Sequence, residues 1–349
     1  MGHNLTFAFT SFGSCFWLLS FGLADFGVFS LVGCLKTMVR KKWALSLSIF
    51  SNHRIESPMR ANIMSSTRIH RILEEKGSLS FPGIYDTLSA KIAERAGFPM
   101  AFVSGYAVAA TSIGEPDLGL LTQTEIVERA RAICASVRIP VIVDADTGYG
   151  NPLNVYRTVE QLIAAGAAGC FLEDQMWPKR CGHMRGKKVI GREEYLHKVR
   201  AAVEAKGERD FFIVARTDAL VVAGMEEAIA RVSGAREAGA DASFVEAPES
   251  REQLAEVGRR APGPNVANMI EGGKTPVLPR EELAELGFQL ILYPLAGLFA
   301  AARTLEDVYR ELNTRGTTLA EEKRLMSFPE FNDLIGVDTL YARAERFGA

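Results

Sequence analysis

The stretch "AAGAAGCFLED" (164–174) holds three signals in a row. Its alanines lead to Gly166, a residue that stops a helix and lets the chain turn. The apolar run that follows, "GCFL" (169–172), reads as a buried strand. Two carboxylates, Glu173 and Asp174, close it. The same kind of helix end recurs in "ERAGFP" (94–99), "EAGADA" (237–242) and "ELGFQ" (285–289). The apolar runs are "SLSFPG" (78–83), "MAFVSG" (100–105), "VIVDAD" (141–146), "GCFLED" (169–174), "FFIVART" (211–217), "ASFVEAP" (242–248), "NVANMI" (265–270) and "QLILYP" (289–294). Helical segments lie between them. One is "TQTEIVERARAICASV" (122–137), with Thr122 or Thr124 as N-cap, and another is "GMEEAIARVSGAREAG" (224–239).

Strands that are apolar throughout belong to a parallel sheet covered on both faces. Eight strand–helix units predict an α/β fold, a (β/α)8 TIM-type barrel, whose usual length is ~250 residues. The alternative is an open doubly wound sheet. It lacks a phosphate fingerprint here: no GxGxxG follows the first strand, and "GYGNP" (148–152) has no Lys-Ser/Thr.

The 349 residues are 48% apolar and 23% charged, as in a soluble globular protein. A net charge of −2 supplies no field for nucleic acid. Five scattered cysteines argue against a disulfide framework and fit a reducing, cytoplasmic setting. The composition breaks near residue 64. Residues 5–35 hold seven of the twenty phenylalanines and a single charge, Asp25, and "LKTMVRKKW" (35–43) then adds four cations. Three readings remain open: a membrane anchor, a cleaved targeting segment, or upstream sequence before a start at Met59 or Met64. The last is favoured, because "MSSTRIHRILEEKG" (64–77) begins like the first helix of a soluble enzyme. Residues 1–63 are therefore expected to lie outside the fold, with membrane contact only if the apolar run is an anchor. Residues 64–315 form the expected barrel and 316–349 a C-terminal helical segment.

A barrel carries its active site at the C-terminal ends of its strands. Polar residues gather there: Ser104-Gly105, Asp144 and Asp146, Glu173-Asp174, Arg216-Thr217-Asp218, Glu246 and Asn268. Asp144 and Asp146 are two apart and share a strand face, so their like charges call for a cation. With Glu173 they make an all-oxygen set suited to Mg²⁺ or Mn²⁺ rather than Zn²⁺. Arg216 is an anion anchor able to grip a carboxylate or phosphonate with two bonds; a structural pair with Asp218 or Glu246 is the bland alternative. After Glu173 comes a long loop, "DQMWPKRCGHMRGKKVIG" (174–191). Loops of that length are lids or binding loops. Its cations are expected to lower the pKa of Cys181 and fit it for proton exchange with a carbanion or enolate. Arg185 to Lys188 are expected to face solvent.

These motifs, taken together, resemble a known family. "VSGYAVAA", "GEPDLGLLT", "VIVDADTGYGN", "FLEDQ", "PKRCGH", "VARTDA", "FVEAPES" and "NMIEGGKTP" occur in order over residues 66–315. They resemble the isocitrate lyase/phosphoenolpyruvate mutase superfamily, and "KRCGH" resembles its carbon–carbon lyase branch. The resemblance implies a Mg²⁺-dependent (Mn²⁺ possible) lyase that splits a 2-hydroxy acid by a retro-aldol step. It implies metal binding by Asp144, with Asp146 and Glu173 directly or through water. Ser104, Gly105, Tyr106 and Asp117 would bind substrate beside Arg216. Lys179, Cys181, Gly182 and His183 would ride on a lid, with Cys181 as the acid, and Glu246 and Asn268 would contact the other half of the substrate. The family also implies a homotetramer with a swapped C-terminal helix. Phe102, Ile270 and Pro294 stand where methylisocitrate lyases and oxaloacetate hydrolases resembling this chain carry tyrosine, a hydroxyl and serine. The resemblance is therefore strongest to lyases of substituted malates such as 2,3-dimethylmalate. Methylisocitrate lyase, oxaloacetate hydrolase or decarboxylase, and a phosphonate-processing enzyme are the alternatives.

Overall fold

The computed structural model describes residues 66–348. The readings made of residues 1–63, including the choice of starting methionine, lie outside the described residues. Helix α1 (Arg68–Lys76) comes first, capped by Thr67, which accepts from the His70 amide. Strand β1 (Leu79–Ile84) and helix α2 (Thr87–Arg95) follow. Strand β2 (Ala101–Val103) leads to α3 (Gly105–Ser112) and α4 (Gln123–Ser136). Of the two candidate caps for the last of these, Thr122 is the one used. Next come β3 (Val141–Asp144), α5 (Pro152–Ala164), β4 (Gly169–Glu173) and α6 (Arg192–Lys206). Strand β5 (Phe212–Thr217) precedes α7 (Ala219–Ala223) and α8 (Met225–Glu237). The series ends with β6 (Ala242–Val245), α9 (Arg251–Arg260), β7 (Val266–Asn268), α10 (Arg280–Glu285), β8 (Leu290–Tyr293) and α11 (Ala296–Arg315).

All eight expected strands form; seven are shorter than expected by a residue or more, and β1 is shifted by one, from 78–83 to 79–84. They pair in parallel in the order β6-β5-β4-β3-β2-β1-β8-β7. A single parallel bridge, Ser243 to Asn265, joins β6 to β7 and brings the sheet round into a barrel.

Strand alternation sorts the side chains. Val103, Val143, Leu172 and Ala215 pack outward with residues of α4, α5 and α6. Val245, Ala267 and Ile291 pack outward with residues of α8, α9 and α10. Their neighbours Phe102, Ile142, Phe171, Val214, Phe244, Val266 and Leu292 point inward and share one cluster with Ile69 and Leu73, so α1 plugs the N-terminal end. The Phe171 ring meets Phe102 at 4.6 Å and Phe244 at 5.6 Å. Rings from β2, β4 and β6 thus build one interior layer, as alternate strands do in such barrels. Two residues beyond that layer along the strands stand Ser104, Asp144, Glu173, Arg216, Glu246, Asn268 and Pro294. Alternation puts all of them inside, above an aromatic floor.

Past α11 the chain forms a 3-10 turn (Leu319–Arg324), α12 (Phe328–Ile335) and α13 (Val337–Arg346), none of which buries a residue. An ion pair of 3.8 Å, Arg95 to Asp333, ties α12 to α2.

Candidate active site

A pocket with about 420 Å³ of empty space, open solvent included, lies at the C-terminal end of the barrel. Phe102, Phe171, Phe244 and Leu292 are its apolar lining from the strands, and Ile270, Pro294 and Leu295 line it from the loops beyond. Its polar groups are Ser104, Tyr106, Asp117, Asp144, Cys181, Arg216, Glu246 and Asn268. Ser104 caps α3 by accepting from the Ala107 amide at 3.3 Å, which places that helix's N-terminus at the cavity. Gly105 admits Asp144 closely: a Cβ there would lie 2.9 Å from Asp144 Oδ2.

Arg216 is held on several sides. Its Nε donates to Asp218 Oδ2 at 2.9 Å and faces Glu173 Oε2 at 3.3 Å, while Nη2 reaches Asp218 Oδ1 and Glu246 Oε2, both at 3.2 Å. The guanidinium also stands 5.4 Å from the Phe244 ring centre. The structural pairing with Asp218 and Glu246 is therefore realised, and Arg216 still lines the cavity. Burial opposes charge on Glu246, but Arg216, His183 and Lys187 outweigh it and hold that carboxyl well below the usual range. Asn268 Nδ2 donates to both Glu246 oxygens at 3.3 Å.

The loop 174–191 folds over this cavity. An antiparallel bridge, Gln175 to Val189, closes its neck. Nearer the tip, Lys179 Nζ sits between Asp117 at 2.7 Å and Asp146 at 2.6 Å. Burial works against the ammonium, yet the carboxylates, Asp146 first, raise its pKa well above the ordinary value. His183 Nδ1 accepts from the Lys274 amide at 2.9 Å. The ring proton is thereby assigned to Nε2, which faces Glu246 Oε1 at 3.2 Å.

Two expectations about this loop need correction. Its cations do not acidify Cys181. Burial pushes the thiol up to about 12, and Asp117 and Glu246 add to the rise against a backbone hydrogen bond at His183 and the charge of Arg216. Burial is the larger cause, and the nearer cations Lys179 and Lys187 are already paired with carboxylates. The second correction concerns Lys187, which does not face solvent. It is buried, and its Nζ donates to the Gly182 carbonyl at 2.6 Å and to Asp218 Oδ1 at 2.7 Å. Arg185 and Lys188 are exposed, as expected.

The metal set also differs from a three-ligand cage. Among the described residues, no group of three or more His, Cys, Asp or Glu is arranged to hold an ion directly. Lys179 occupies Asp146 and Arg216 neighbours Glu173, and only Asp144 of the three lines the cavity. The donors still fit a cation held largely through water. Seven buried carboxylates (Asp117, Asp144, Asp146, Glu173, Asp174, Asp218 and Glu246) stand with five buried cations (Lys179, Lys187, Lys198, Arg216 and Arg231), which leaves negative charge in excess. Burial raises Asp146 to about 7, against Lys179 and with help from Asp144 and Asp117. Glu173, raised well above its usual value by burial, keeps Oε1 without a hydrogen-bond partner. A positive ion is what such carboxylates lack, and Mg²⁺ commonly keeps several waters and takes only one or two carboxylates. Asp146 and Tyr149 hold left-handed backbone, φ 47° and 60°, and the Tyr149 hydroxyl donates to Asp146 Oδ2 at 3.1 Å. Strain of that kind gathers at functional turns.

Strand alternation foretold the inward residues. It had no hold on Lys187, Tyr149 or the Lys274 amide, which sit on loops without a period. The one sequence signal for Lys187 was its place in a loop too long for a connection.

Residues 69–313 match the family model described as phosphoenolpyruvate phosphomutase. The chain belongs to the phosphoenolpyruvate mutase/isocitrate lyase superfamily. This superfamily member is 52% identical over 285 residues to a chloroplastic carboxyvinyl-carboxyphosphonate phosphorylmutase of Arabidopsis thaliana, covering 80% of this chain and 84% of that one. It is 51% identical to the petal death protein of Dianthus caryophyllus (80% and 89% covered) and 41% identical to the 2,3-dimethylmalate lyase of Eubacterium barkeri (79% and 96%). Among solved structures, an oxaloacetate acetylhydrolase gives a TM-score of 0.77 at 35% identity, covering 82% of this chain and 98% of its own. A 2,3-dimethylmalate lyase gives 0.76 at 36% (82% and 96%), and a phosphonopyruvate hydrolase solved with oxalate and Mg²⁺ gives 0.70 at 30% (78% and 95%). The superfamily member is a carbon–carbon lyase.

Proposed function

We propose that this lyase cleaves a substituted malate, a 2-hydroxy dicarboxylate resembling 2,3-dimethylmalate, into a 2-oxo acid and a short carboxylic acid. The observation that carries the reading is a half-buried Cys181 thiol, protonated at neutral pH, at a cavity that pairs Arg216 with an apolar wall of Phe102, Ile270, Pro294 and Leu295. The C2–C3 bond breaks, C2 becomes a carbonyl as its hydroxyl gives its proton to a carboxylate of the cavity, which later releases it to solvent, and the bonding electrons pass to C3 as an enolate. Cys181 gives its proton to that carbon and is reprotonated from solvent when product leaves. Arg216 and the backbone amides at the start of α3 hold the 2-hydroxy acid end. The seated loop excludes bulk water, so the thiol delivers the proton. Glu246 and Asn268 contact the other half of the substrate.

Asp144 would hold Mg²⁺ (or Mn²⁺), with Asp146 and Glu173 behind it, and the ion would supply positive charge for the oxygen at C2. The carboxylate excess and the Mg²⁺ named for the phosphonopyruvate hydrolase support this assignment. The apolar wall favours an alkyl-substituted malate over a substrate with a third carboxylate. Product analysis with MgCl₂ on 2,3-dimethylmalate, 2-alkylmalates, 2-methylisocitrate, isocitrate, oxaloacetate and phosphonopyruvate tests the reading. A 2-oxo acid from a substituted malate, at the highest kcat/KM of the panel, is expected; no 2-oxo acid from any hydroxy acid would overturn it.

The exposed apolar faces of α12 and α13 support a homotetramer in which the 316–349 segment packs on another subunit. Phe328, Tyr341 and Phe347 are 79%, 66% and 79% exposed. No helix among the described residues is long and apolar enough to cross a membrane. We read residues 64–315 as the catalytic barrel and the cytoplasm as its place. The Arabidopsis relative's chloroplastic name favours a second reading, a plastid address within residues 1–63.

A further inference from the structure

One cation of the loop has no part in the reading above. Lys187 joins two groups that matter to it: the Gly182 carbonyl, beside Cys181, and Asp218, which grips Arg216. We propose that Lys187 is a positioning residue that couples anion binding at Arg216 to the seating of Cys181. The proposal rests on the reading of the cavity as a substrate site.

The coupling follows from shared oxygens. Asp218 Oδ1 accepts from Lys187 at 2.7 Å and from Arg216 Nη2 at 3.2 Å. With the loop seated, Lys187 takes part of the Asp218 charge, and Arg216 keeps more of its own for an anion in the cavity. With the loop lifted, Asp218 turns wholly to Arg216, and the cavity becomes less attractive to anions. Each event therefore favours the other, and the linkage is reciprocal. Burial makes the choice sharp. The Lys187 side chain is 2% exposed and Asp218 fully buried, so the ammonium needs this carboxylate to stay charged there, while Asp218 keeps Arg216 when Lys187 leaves. The other loop anchors do not touch Asp218: Lys179 pairs with Asp117 and Asp146, and His183 lies between Glu246 and Lys274.

The same loop carries a reporter. The tryptophans are Trp17, Trp43 and Trp177, so Trp17→Phe and Trp43→Phe in the full-length chain leave Trp177 alone. Its ring stands 5.8 Å from Tyr149. The experiment is an oxalate titration with MgCl₂ present, read by Trp177 emission, alongside kcat and KM on the best substrate. The parent is expected to give a saturable change. Lys187→Met should weaken apparent oxalate affinity by about tenfold or more, the range of ordinary coupling, and should lower kcat as well as raise KM. Lys187→Arg should recover part of the affinity.

Lys187→Met leaves buried Asp218 one cation fewer, with Arg216 still on it, and can fail to fold, so Asp218→Asn is compared with the double variant Lys187→Met/Asp218→Asn. Once Asp218 is neutral, removing Lys187 should cost little more in oxalate affinity, whereas a merely structural pair would show its nesting in the thermal midpoint and leave the affinity unmoved. Parental affinity and turnover in Lys187→Met, fully additive losses in the double variant, or Trp177 emission indifferent to oxalate in the parent would each overturn the coupling. The proposed reaction fails separately: an oxalate response that depends on Lys187, in a protein that cleaves no hydroxy acid, sinks the reaction and leaves the coupling standing.

Discussion

Cys181 shows how far a charge count along the chain can mislead. Five cations crowd the loop segment 179–188 around His183, yet burial and nearby carboxylates lift the thiol to about 12. The sign of that shift sets the chemistry. An acid works below its pKa, so Cys181 stays protonated throughout the neutral range. The kcat profile should therefore show no loss from thiol ionisation between about pH 7 and 9, where an ordinary cysteine ionises. A fall centred near 8.5 that vanishes in Cys181→Ser would contradict this. For the same reason, iodoacetamide should alkylate Cys181 at least ~10²-fold more slowly than a free thiol at pH 8, a rate that mass spectrometry of the labelled peptide measures. Cys181→Ser should cost ~10²–10⁴-fold in kcat with little change in KM, the usual weight of a positioned acid. The position of this thiol was legible from its motif. Its ionisation was not, because Lys179 and Lys187 are spent on Asp117, Asp146 and Asp218, partners far away in the chain.

Elements divide along the same line. The strands could be read because a period of two acts on every residue, and it carried Asp144, Glu173, Arg216, Glu246 and Asn268 to one end and one side. The loop 174–191 has no period, and its shape comes from tertiary contacts such as the Gln175–Val189 bridge and the Lys187 ammonium. Its tip approaches the barrel so closely that a Cβ on Gly182 would collide with the Glu246 carboxyl. Gly182→Ala should lift the tip, lowering kcat and raising KM while leaving the thermal midpoint near that of the parent; unchanged kinetics would mean that the tip is not seated during turnover. The strand layer below responds in the opposite way. Phe171→Ala removes the central ring of the floor and should cost ~3–5 kcal/mol in unfolding free energy, measurable by denaturant titration.

At the scale of the whole molecule, the barrel followed from eight repeats, whereas the C-terminal helices gave only a segment without a destination. Among the described residues, helices α12 and α13 contain no buried side chain and α12 meets α2 through the Arg95–Asp333 ion pair, so their apolar faces are open to another subunit. Ending the chain at Arg315 should reduce the assembly state in sedimentation while far-UV dichroism keeps the barrel signal; an unchanged sedimentation coefficient per mass would remove the proposed swap. Residues 1–63 fused to a fluorescent reporter test location, since plastid, membrane and diffuse patterns separate the three readings.

The sheet meets itself between β6 and β7 through one backbone bridge, Ser243 to Asn265. Just above that seam, Asn268 reaches across from β7 to Glu246 at the end of β6. The join with the fewest main-chain bonds is thus fastened by side chains that also face the cavity. A ligand held by Glu246 and Asn268 acts as a clasp on the barrel itself, so occupancy should slow amide exchange at Ser243 and Val245 on the seam.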